Sequence, residues 1–385
     1  MKPLVIAVAL ASAAIAGCGG GGGGANEVPT DVRFPTSQWS TDFSKHAVPL
    51  TDFVSGGPGK DGIPAIDHAR FVDAVHADGF LTDQEPVAAV ALDGQAKAYP
   101  LRIMVWHEIV NDTLAGHPIA LTYCPLCNST VAFDRQVGDQ TLSFGTTGNL
   151  RNSDLVMYDR QTESWWQQIT GQAVVGELTG TQLHVVPSQI VSWAEFKRLH
   201  PGGLVLSTQT GFDRPYGSNP YAGYDRPNST PFALGDQPDR TLPPKERVTA
   251  VQTGERSAVV YPFSRLERDA PVNDSVHTPT AGGREPIVVF FDPKVASPLD
   301  ASEVSLGRKV GTAAVFDRRD GGRELSFTAG RQTGTFRDRE TGSTWDMGGR
   351  ATAGPLRGDS LRQVTSDDQF WFALAAFFPH PEIRR

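Results

Sequence analysis

Two stretches of the chain, about 179 residues apart, repeat the same residues in the same order. The stretch from Asp159 to Val186 and the stretch from Asp338 to Val364 share an Asp-Arg pair, a Ser-x-Trp element and a Gly-x-Leu-x-Gly turn. Further matches lie upstream, such as Phe133-Asp134-Arg135 with Phe316-Asp317-Arg318. A repeat of this length is one structural unit that occurs twice. The chain is therefore predicted to contain two tandem β-rich units of similar fold.

Short β-branched segments separated by glycine and proline predict a mainly β fold. The 385 residues include 40 glycines and 28 prolines, which separate many short β-branched runs. We expect an α+β composition with few short helices, at Pro64–Ala77 and at Ser192–His200, where Ser192 is a plausible N-cap. The predicted boundaries are 61–204 for repeat 1, 205–245 for a linking and covering segment, and 246–385 for repeat 2.

The first 60 residues predict export and anchoring. Residues 1–17 resemble a signal peptide, with Lys2 before an apolar run too short to span a membrane. Cys18 follows a small-residue site typical of bacterial lipoproteins, in which this cysteine is lipidated, and residues 18–60 continue as a Gly-rich tether and an extended lead-in. The prediction is an extracytoplasmic lipoprotein anchored to a membrane, in the periplasm or at the cell surface, where disulfides are permitted.

The charge of the chain bears on its partners. The formal net charge is −8, and no basic stripe occurs along the sequence. Nucleic acid is therefore not an expected partner. Beyond the membrane itself, the expected partner is a protein or small molecule that the sequence does not identify.

Comparing the two repeats separates scaffold residues from candidate site residues. Residues present in both repeats are most simply required by the fold, so we interpret the Asp-Arg pairs as salt bridges, the glycines as tight turns and the tryptophans as core aromatics. A Cys-Pro-Leu-Cys turn occurs in the first repeat alone. The aligned pairs are Cys124 with Asp292, Cys127 with Val295, and His107 with Asp269. These single-copy residues are the candidate site.

A Cys-x-x-Cys turn has three uses: a static disulfide, a dithiol–disulfide couple or a pair of thiolate ligands. A static disulfide across so short a loop stabilises less than the roughly 3 kcal/mol expected for a 15-residue loop. The string Thr122-Tyr-Cys-Pro-Leu-Cys127 resembles the glutaredoxin active site, but those enzymes place it at a helix N-terminus, whereas a strand is predicted here after Cys127. Dithiol chemistry on another scaffold stays open, with Cys124 attacking and Cys127 resolving.

The metal interpretation needs ligands beyond Cys124 and Cys127. Thiolates suit copper, zinc or iron, and zinc prefers four ligands. His107 is the expected third ligand, and Met157 is a weaker candidate whose thioether would favour copper. The single-copy segment Asn152-Ser153-Asp154 either lines the site or caps a turn. No phosphate-binding loop, Gly-x-Ser-x-Gly elbow or His-Glu-x-x-His helix occurs in the sequence.

Several motifs resemble a bacterial and archaeal family named only as domain of unknown function 3179. They are Ala98-Tyr-Pro-Leu-Arg102, Trp106-His-Glu-Ile-Val-Asn-Asp112, Thr122-Tyr-Cys-Pro-Leu-Cys-Asn128, Ser153-Asp-Leu-Val-Met-Tyr-Asp-Arg160 and Pro243-Pro-Lys-Glu-Arg-Val248. The resemblance covers about residues 60–385, implies an exported protein and supplies no activity.

Three hypotheses follow from the sequence. The first is a membrane-anchored protein that binds a metal, copper before zinc or iron, or handles electrons, through Cys124, Cys127 and His107. The second is a thiol–disulfide oxidoreductase that uses the two cysteines. The third is a non-catalytic surface protein that binds a partner, in which the cysteines have no role.

Overall fold

Strands dominate the structure, a computed structural model that describes residues 32–235, 237–278 and 282–385. The mainly β prediction is confirmed. The signal peptide and Cys18 lie outside the described residues. Within the described ranges, none of the helices has the length and apolar character needed to cross a membrane.

Five short α-helices occur among the described residues. They are α1 (Ala74–Ala77), α2 (Leu101–His107), α3 (Trp193–Leu199), α4 (Phe263–Asp269) and α5 (Trp371–Phe377). The N-cap predicted for α3 is confirmed, because the hydroxyl oxygen of Ser192 accepts a hydrogen bond from the amide of Glu195 at 3.2 Å.

Strands fill most of the chain between the helices. Those before residue 207 are β1 (Phe53–Ser55), β2 (Phe71–Val72), β3 (Pro86–Leu92), β4 (Gln95–Pro100), β5 (Ile109–Leu114), β6 (His117–Cys124), β7 (Ser129–Asp134), β8 (Gln136–Val137), β9 (Gln140–Thr141), β10 (Phe144–Arg151), β11 (Asp154–Asp159), β12 (Trp165–Gln167), β13 (Gln172–Val175), β14 (Val185–Val186), β15 (Ser188–Ser192) and β16 (Leu204–Leu206). Those after residue 246 are β17 (Arg247–Gly254), β18 (Ser257–Pro262), β19 (Val272–Thr278), β20 (Gly283–Asp292), β21 (Thr312–Asp317), β22 (Arg319–Asp320), β23 (Arg323–Glu324), β24 (Phe327–Ala329), β25 (Thr335–Asp338), β26 (Thr344–Asp346), β27 (Ala351–Ala353), β28 (Asp367–Phe370) and β29 (His380–Ile383).

These strands form several small sheets. In the first half, the strand orders are β1-β10-β11-β12-β13, β14-β7-β6-β5 and β15-β3-β4-β16-β2. In the second half, they are β28-β17-β18-β29, β19-β20-β21 and β24-β25-β26-β27. Each half also has a two-stranded ribbon, β8-β9 in the first and β22-β23 in the second. The core that contains both cysteines also includes Leu299, Phe370 and Phe372, so residues of the two halves share one hydrophobic cluster.

Side chains at corresponding positions of the two halves make the same hydrogen bonds. Asp159 accepts hydrogen bonds from Thr162 and from the indole of Trp166. Asp338 accepts the same bonds from Thr341 and Trp345. Asp159 and Asp338 therefore bond buried tryptophans, and the salt bridge predicted between Asp159 and Arg160 is replaced by one between Arg160 and Asp67. The turn glycines agree with the prediction, since all four adopt positive φ: Gly176, Gly180, Gly354 and Gly358. The duplication itself stays a prediction.

A matched pair of substitutions tests this structural role. Asp159→Ala should lower the free energy of unfolding by about 2 kcal/mol, because it leaves the indole N–H of Trp166 unpaired in the core. Asp338→Ala should cost about the same through Trp345. Denaturant unfolding of each variant measures both losses. A large loss at one position with none at the other would contradict equivalent roles.

The lead-in before residue 60 packs against the first half. Phe34, Trp39, Phe43 and Phe53 are buried there, and their rings surround the ring of Trp165 at centroid distances of 4.8 to 5.4 Å. Three of these contacts, those of Trp39, Phe43 and Phe53, are edge-to-face, an arrangement that is favourable for aromatic pairs. The lead-in from Phe34 onward therefore belongs to the folded core.

The helix expected at Pro64–Ala77 is wrong for most of its length. A helix covers only Ala74–Ala77. The chain before it is extended, because Ile66 exchanges backbone hydrogen bonds with Ile109 and Asn111 beside β5, each at 2.9 Å. Tertiary pairing thus overrides the local helical pattern.

Candidate metal centre

The Cys-Pro-Leu-Cys turn closes a hairpin between β6 and β7. Strand β6 ends at Cys124, and β7 begins at Ser129, which is paired with it. Asn128 has a φ of 53°, a left-handed conformation that asparagine tolerates better than most residues. The carbonyl of Cys127 accepts a hydrogen bond from the amide of Phe370 at 2.8 Å. A strand, not a helix, follows the motif, which excludes the glutaredoxin arrangement.

A second hairpin, between β10 and β11, meets this turn. Both residues of its two-residue loop have positive φ, 50° at Asn152 and 68° at Ser153, as a type I′ turn requires. The carbonyl oxygen of Ser153 lies 3.5 Å from the sulfur of Cys127 and 3.9 Å from that of Cys124. The tight loop therefore brings the start of β11 beside the two thiols.

Asp154, the first residue of β11, completes a three-residue cluster. One ligand atom each from Cys124, Cys127 and Asp154 lies within 4.8 Å of the others, and all three side chains are buried. The Oδ2 atom of Asp154 accepts hydrogen bonds from the side chain of Gln167 at 2.6 Å and from the amide of Ile169 at 3.0 Å. Its Oδ1 atom accepts no hydrogen bond from a nitrogen or oxygen donor of the described residues. The thiols of Cys127 and Cys124 act as hydrogen-bond donors to this carboxyl and lower its pKa.

Burial controls the protonation of this cluster. Cys124 and Cys127 are free thiols with 1% and 0% of their surface exposed. Burial raises the pKa of the Cys124 thiol and raises the pKa of the Cys127 thiol well above its usual range. It also raises the pKa of Asp154 to about 6, against the lowering effect of the hydrogen bond from Gln167. Near neutral pH both thiols are therefore protonated, and a bound cation has to displace their protons.

The sequence of residues 60–381 matches a family model described as "Protein of unknown function (DUF3179)". The chain belongs to the DUF3179 family. No curated protein and no solved structure matches the chain. Because the description of DUF3179 assigns no activity, the function of this member has to be argued from its own residues.

In this DUF3179 protein, His107 does not join the two cysteines, although the sequence predicts it as the third ligand. Its Nδ1 atom lies 2.7 Å from the carbonyl oxygen of Pro64, which only accepts, so Nδ1 carries the proton. Its Nε2 atom lies 2.5 Å from the hydroxyl of Tyr216. Burial lowers the pKa of His107, which keeps the ring neutral. Both ring nitrogens thus have partners outside the cluster, one of them supplied by the 205–245 segment.

Met157 lies within the same hydrophobic core as the cysteines. It is fully buried in the middle of β11 and pairs with Thr146 and Trp166 on the neighbouring strands. These neighbours give it a packing role, and its role as a ligand stays a prediction.

The third member of the cluster, Asp154, is the residue that the ligand prediction missed. Its signal was present in the sequence, since the segment Asn152-Ser153-Asp154 is polar and occurs in the first repeat alone. The sequence could not decide between a turn cap and a site residue. In the structure the segment does both, because Asn152 and Ser153 form the turn and Asp154 faces the thiols.

Proposed function

We propose that this protein is a membrane-anchored, extracytoplasmic lipoprotein that binds one metal ion through Cys124, Cys127 and Asp154. The observation that supports the proposal is the cluster itself: two thiols and a carboxylate gathered within 4.8 Å in the core. One carboxylate oxygen there accepts no hydrogen bond from a nitrogen or oxygen donor of the described residues. Buried ionisable groups are costly unless they are paired or coordinate a metal. A bound divalent cation would stabilise the deprotonated form of all three groups and balance two of their three negative charges.

The donor set favours zinc among the metals considered. Two thiolates alone suit copper or zinc, but a carboxylate is a harder ligand that zinc accepts and copper(I) does not prefer. Replacing the expected imidazole of His107 with the carboxylate of Asp154 therefore moves the preference from copper to zinc. Three protein ligands also leave a fourth position for solvent or a small ligand, as in catalytic zinc sites.

The thiol–disulfide alternative has less support. A reactive cysteine needs a lowered pKa and access to its substrate. Here both sulfurs are buried, and burial raises both pKa values. The hydrophobic shell around the turn is better suited to holding an ion than to exchanging disulfides with another protein.

Export and anchoring rest on the N-terminal sequence. The apolar run before Cys18 and the glycines that follow it support a lipid anchor, which would tether the folded part outside the cytoplasmic membrane. The proposed function is therefore metal capture or metal-dependent chemistry outside the cytoplasmic membrane. The lipid anchor would hold the protein there, and the buried centre would bind the ion.

Metal analysis of single variants tests the ligand set. Protein purified without oxygen should contain about one equivalent of zinc, measured by mass spectrometry of the metal content. Asp154→Asn should weaken zinc binding at least about tenfold, because the amide oxygen carries no negative charge. His107→Gln is the matched control, since the His107 ring bonds Pro64 and Tyr216 instead of the cluster.

The control separates two donor sets. Loss of zinc in His107→Gln, with zinc retained in Asp154→Asn, would restore the imidazole as third ligand. Wild-type protein that contains no metal, and takes none up from a zinc buffer, would overturn the proposed function. A stoichiometric content of copper or iron would keep the site and correct the metal.

A further inference from the structure

A cavity of about 440 Å³ lies next to the metal centre. Its lining includes Leu126 from the Cys-Pro-Leu-Cys turn and Leu155 from β11, each the neighbour of a proposed ligand. The covering segment contributes Tyr221, Tyr224 and Phe232 to the same lining. This volume falls within the range of small-molecule sites, which are mostly apolar with a few polar groups.

Glu108 is the one carboxylic acid among the described residues that line this cavity. It is 7% exposed and lies at the end of α2 with a φ of 59°, which a non-glycine residue rarely adopts. Its backbone is fixed there, because its amide donates to Met104 at 2.8 Å and its carbonyl accepts from Tyr123 at 2.7 Å. The corresponding helix α4 ends instead at Ala270, with an ordinary φ of −66°. The unusual backbone and the carboxylate thus occur together, and only in the first half.

The carboxyl of Glu108 has no cationic partner in the described part of the chain. Among the described residues, no lysine, arginine or histidine lines the cavity. Burial, together with the negative charge of Asp154, raises the pKa of Glu108 to about 8, against the lowering effect of a hydrogen bond from the hydroxyl of Tyr221. An anionic ligand would find no counter-charge in this cavity, whereas a cationic ligand would supply the partner that the carboxylate lacks.

Aromatic rings stand beside this carboxyl. The rings of Tyr221 and Tyr224 lie 6.5 Å apart at an angle of 70°, and Phe232 is 49% exposed. Tyr224 already has a cation partner, since the ammonium group of Lys245 lies 3.2 Å from its ring centre. The aromatic surface left for a ligand therefore comes mainly from Tyr221 and Phe232. Aromatic faces attract ammonium groups through their electron-rich centres.

We propose that this cavity binds a small organic amine, whose ammonium group pairs with Glu108 and whose apolar body packs against Tyr221 and Phe232. A bound ammonium group favours the ionised form of Glu108, whose carboxylate then pairs with it, and the aromatic rings supply the contact area. The described lining residues include no basic side chain that could pair with an anion. The inference does not depend on a metal at the cysteines, because none of the three proposed ligands lines the cavity.

Three probes of similar size and different charge test the proposal. Phenethylamine, 2-phenylethanol and phenylacetate share one aromatic body and carry a cation, a neutral hydroxyl and an anion. In calorimetric titrations of the full chain, phenethylamine should bind at least about tenfold tighter than 2-phenylethanol. Phenylacetate should show no binding. Glu108→Gln should weaken phenethylamine at least about tenfold and leave 2-phenylethanol within about twofold.

The alcohol serves as the folding control, because its binding reports an intact cavity in the variant. If Glu108→Gln does not fold, Tyr221→Ala in the covering segment replaces it, and it should weaken both the amine and the alcohol. Equal affinity for amine and alcohol, or unchanged amine binding in Glu108→Gln, would overturn the proposal. Preferential binding of phenylacetate, unchanged amine binding in Tyr221→Ala, or no binding of any probe, would overturn it as well.

Discussion

Replacing Cys124 and Cys127 together with serine should abolish metal binding and lower the melting temperature of the metal-loaded protein. A metal that binds the folded chain stabilises it by about 4 kcal/mol at a free concentration 1,000 times the dissociation constant. For a chain of this size the loss corresponds to roughly 5 °C. Metal analysis and thermal unfolding, each with and without added zinc, measure the two effects.

The comparison with metal-free wild type separates the metal from the packing. Wild type treated with a chelator should melt close to the double variant, and zinc should raise the melting temperature of wild type alone. Val295→Ser is the matched control, since Val295 is buried at the position of the second turn that corresponds to Cys127. It should destabilise the protein without changing the metal content. A double variant that still binds zinc stoichiometrically would remove the cysteines from the centre.

Glu108→Gln should change how the stability of the metal-free protein depends on pH. The pKa of Glu108 is raised from 4.5 to about 8, chiefly by burial. Below pH 4.5 the carboxyl is protonated in both the folded and the unfolded chain. As the pH rises toward 8, the unfolded chain loses this proton while the folded chain keeps it, so stability falls. At about 1.4 kcal/mol for each pKa unit, the full loss is on the order of 5 kcal/mol, and it is complete above the folded pKa.

The glutamine variant cannot ionise and should lack this part of the decline. Unfolding free energies of the two proteins, measured with chelator present at pH values from 5 to 8, should therefore diverge in favour of the variant as the pH rises. Glu177→Gln changes an exposed glutamate and should follow the wild-type curve. Parallel curves for wild type and Glu108→Gln would show that burial does not hold this proton.

The two predictions concern neighbouring groups with different roles. The cysteines should matter to stability through the ion they bind, and Glu108 should matter through the cost of keeping a carboxyl in the core. Asp154 connects the two groups, because it is a proposed metal ligand and its negative charge also raises the pKa of Glu108. Zinc binding at Asp154 would therefore ease the ionisation of Glu108 and favour an amine in the adjacent cavity.

The sequence by itself determined the features that depend on local chemistry. Alternating β-branched runs with glycine and proline between them specify strands and turns, so the mainly β class was predictable. The Ser192 cap and the strand that follows Cys127 were predictable for the same reason. The sequence also identified Cys124 and Cys127 as candidate site residues, because a comparison of the two repeats requires only the residue types at aligned positions.

Only the tertiary structure decided which side chains meet the two thiols. Asp154 reaches them because a second hairpin, 27 residues beyond Cys127, packs its tight loop against the first. His107 bonds Tyr216, which is more than 100 residues away, instead of the sulfurs. The short extended segment at Ile66 likewise depends on β5 rather than on its own residues. Contacts between distant segments depend on how the sheets pack, and no local pattern of residues encodes that packing.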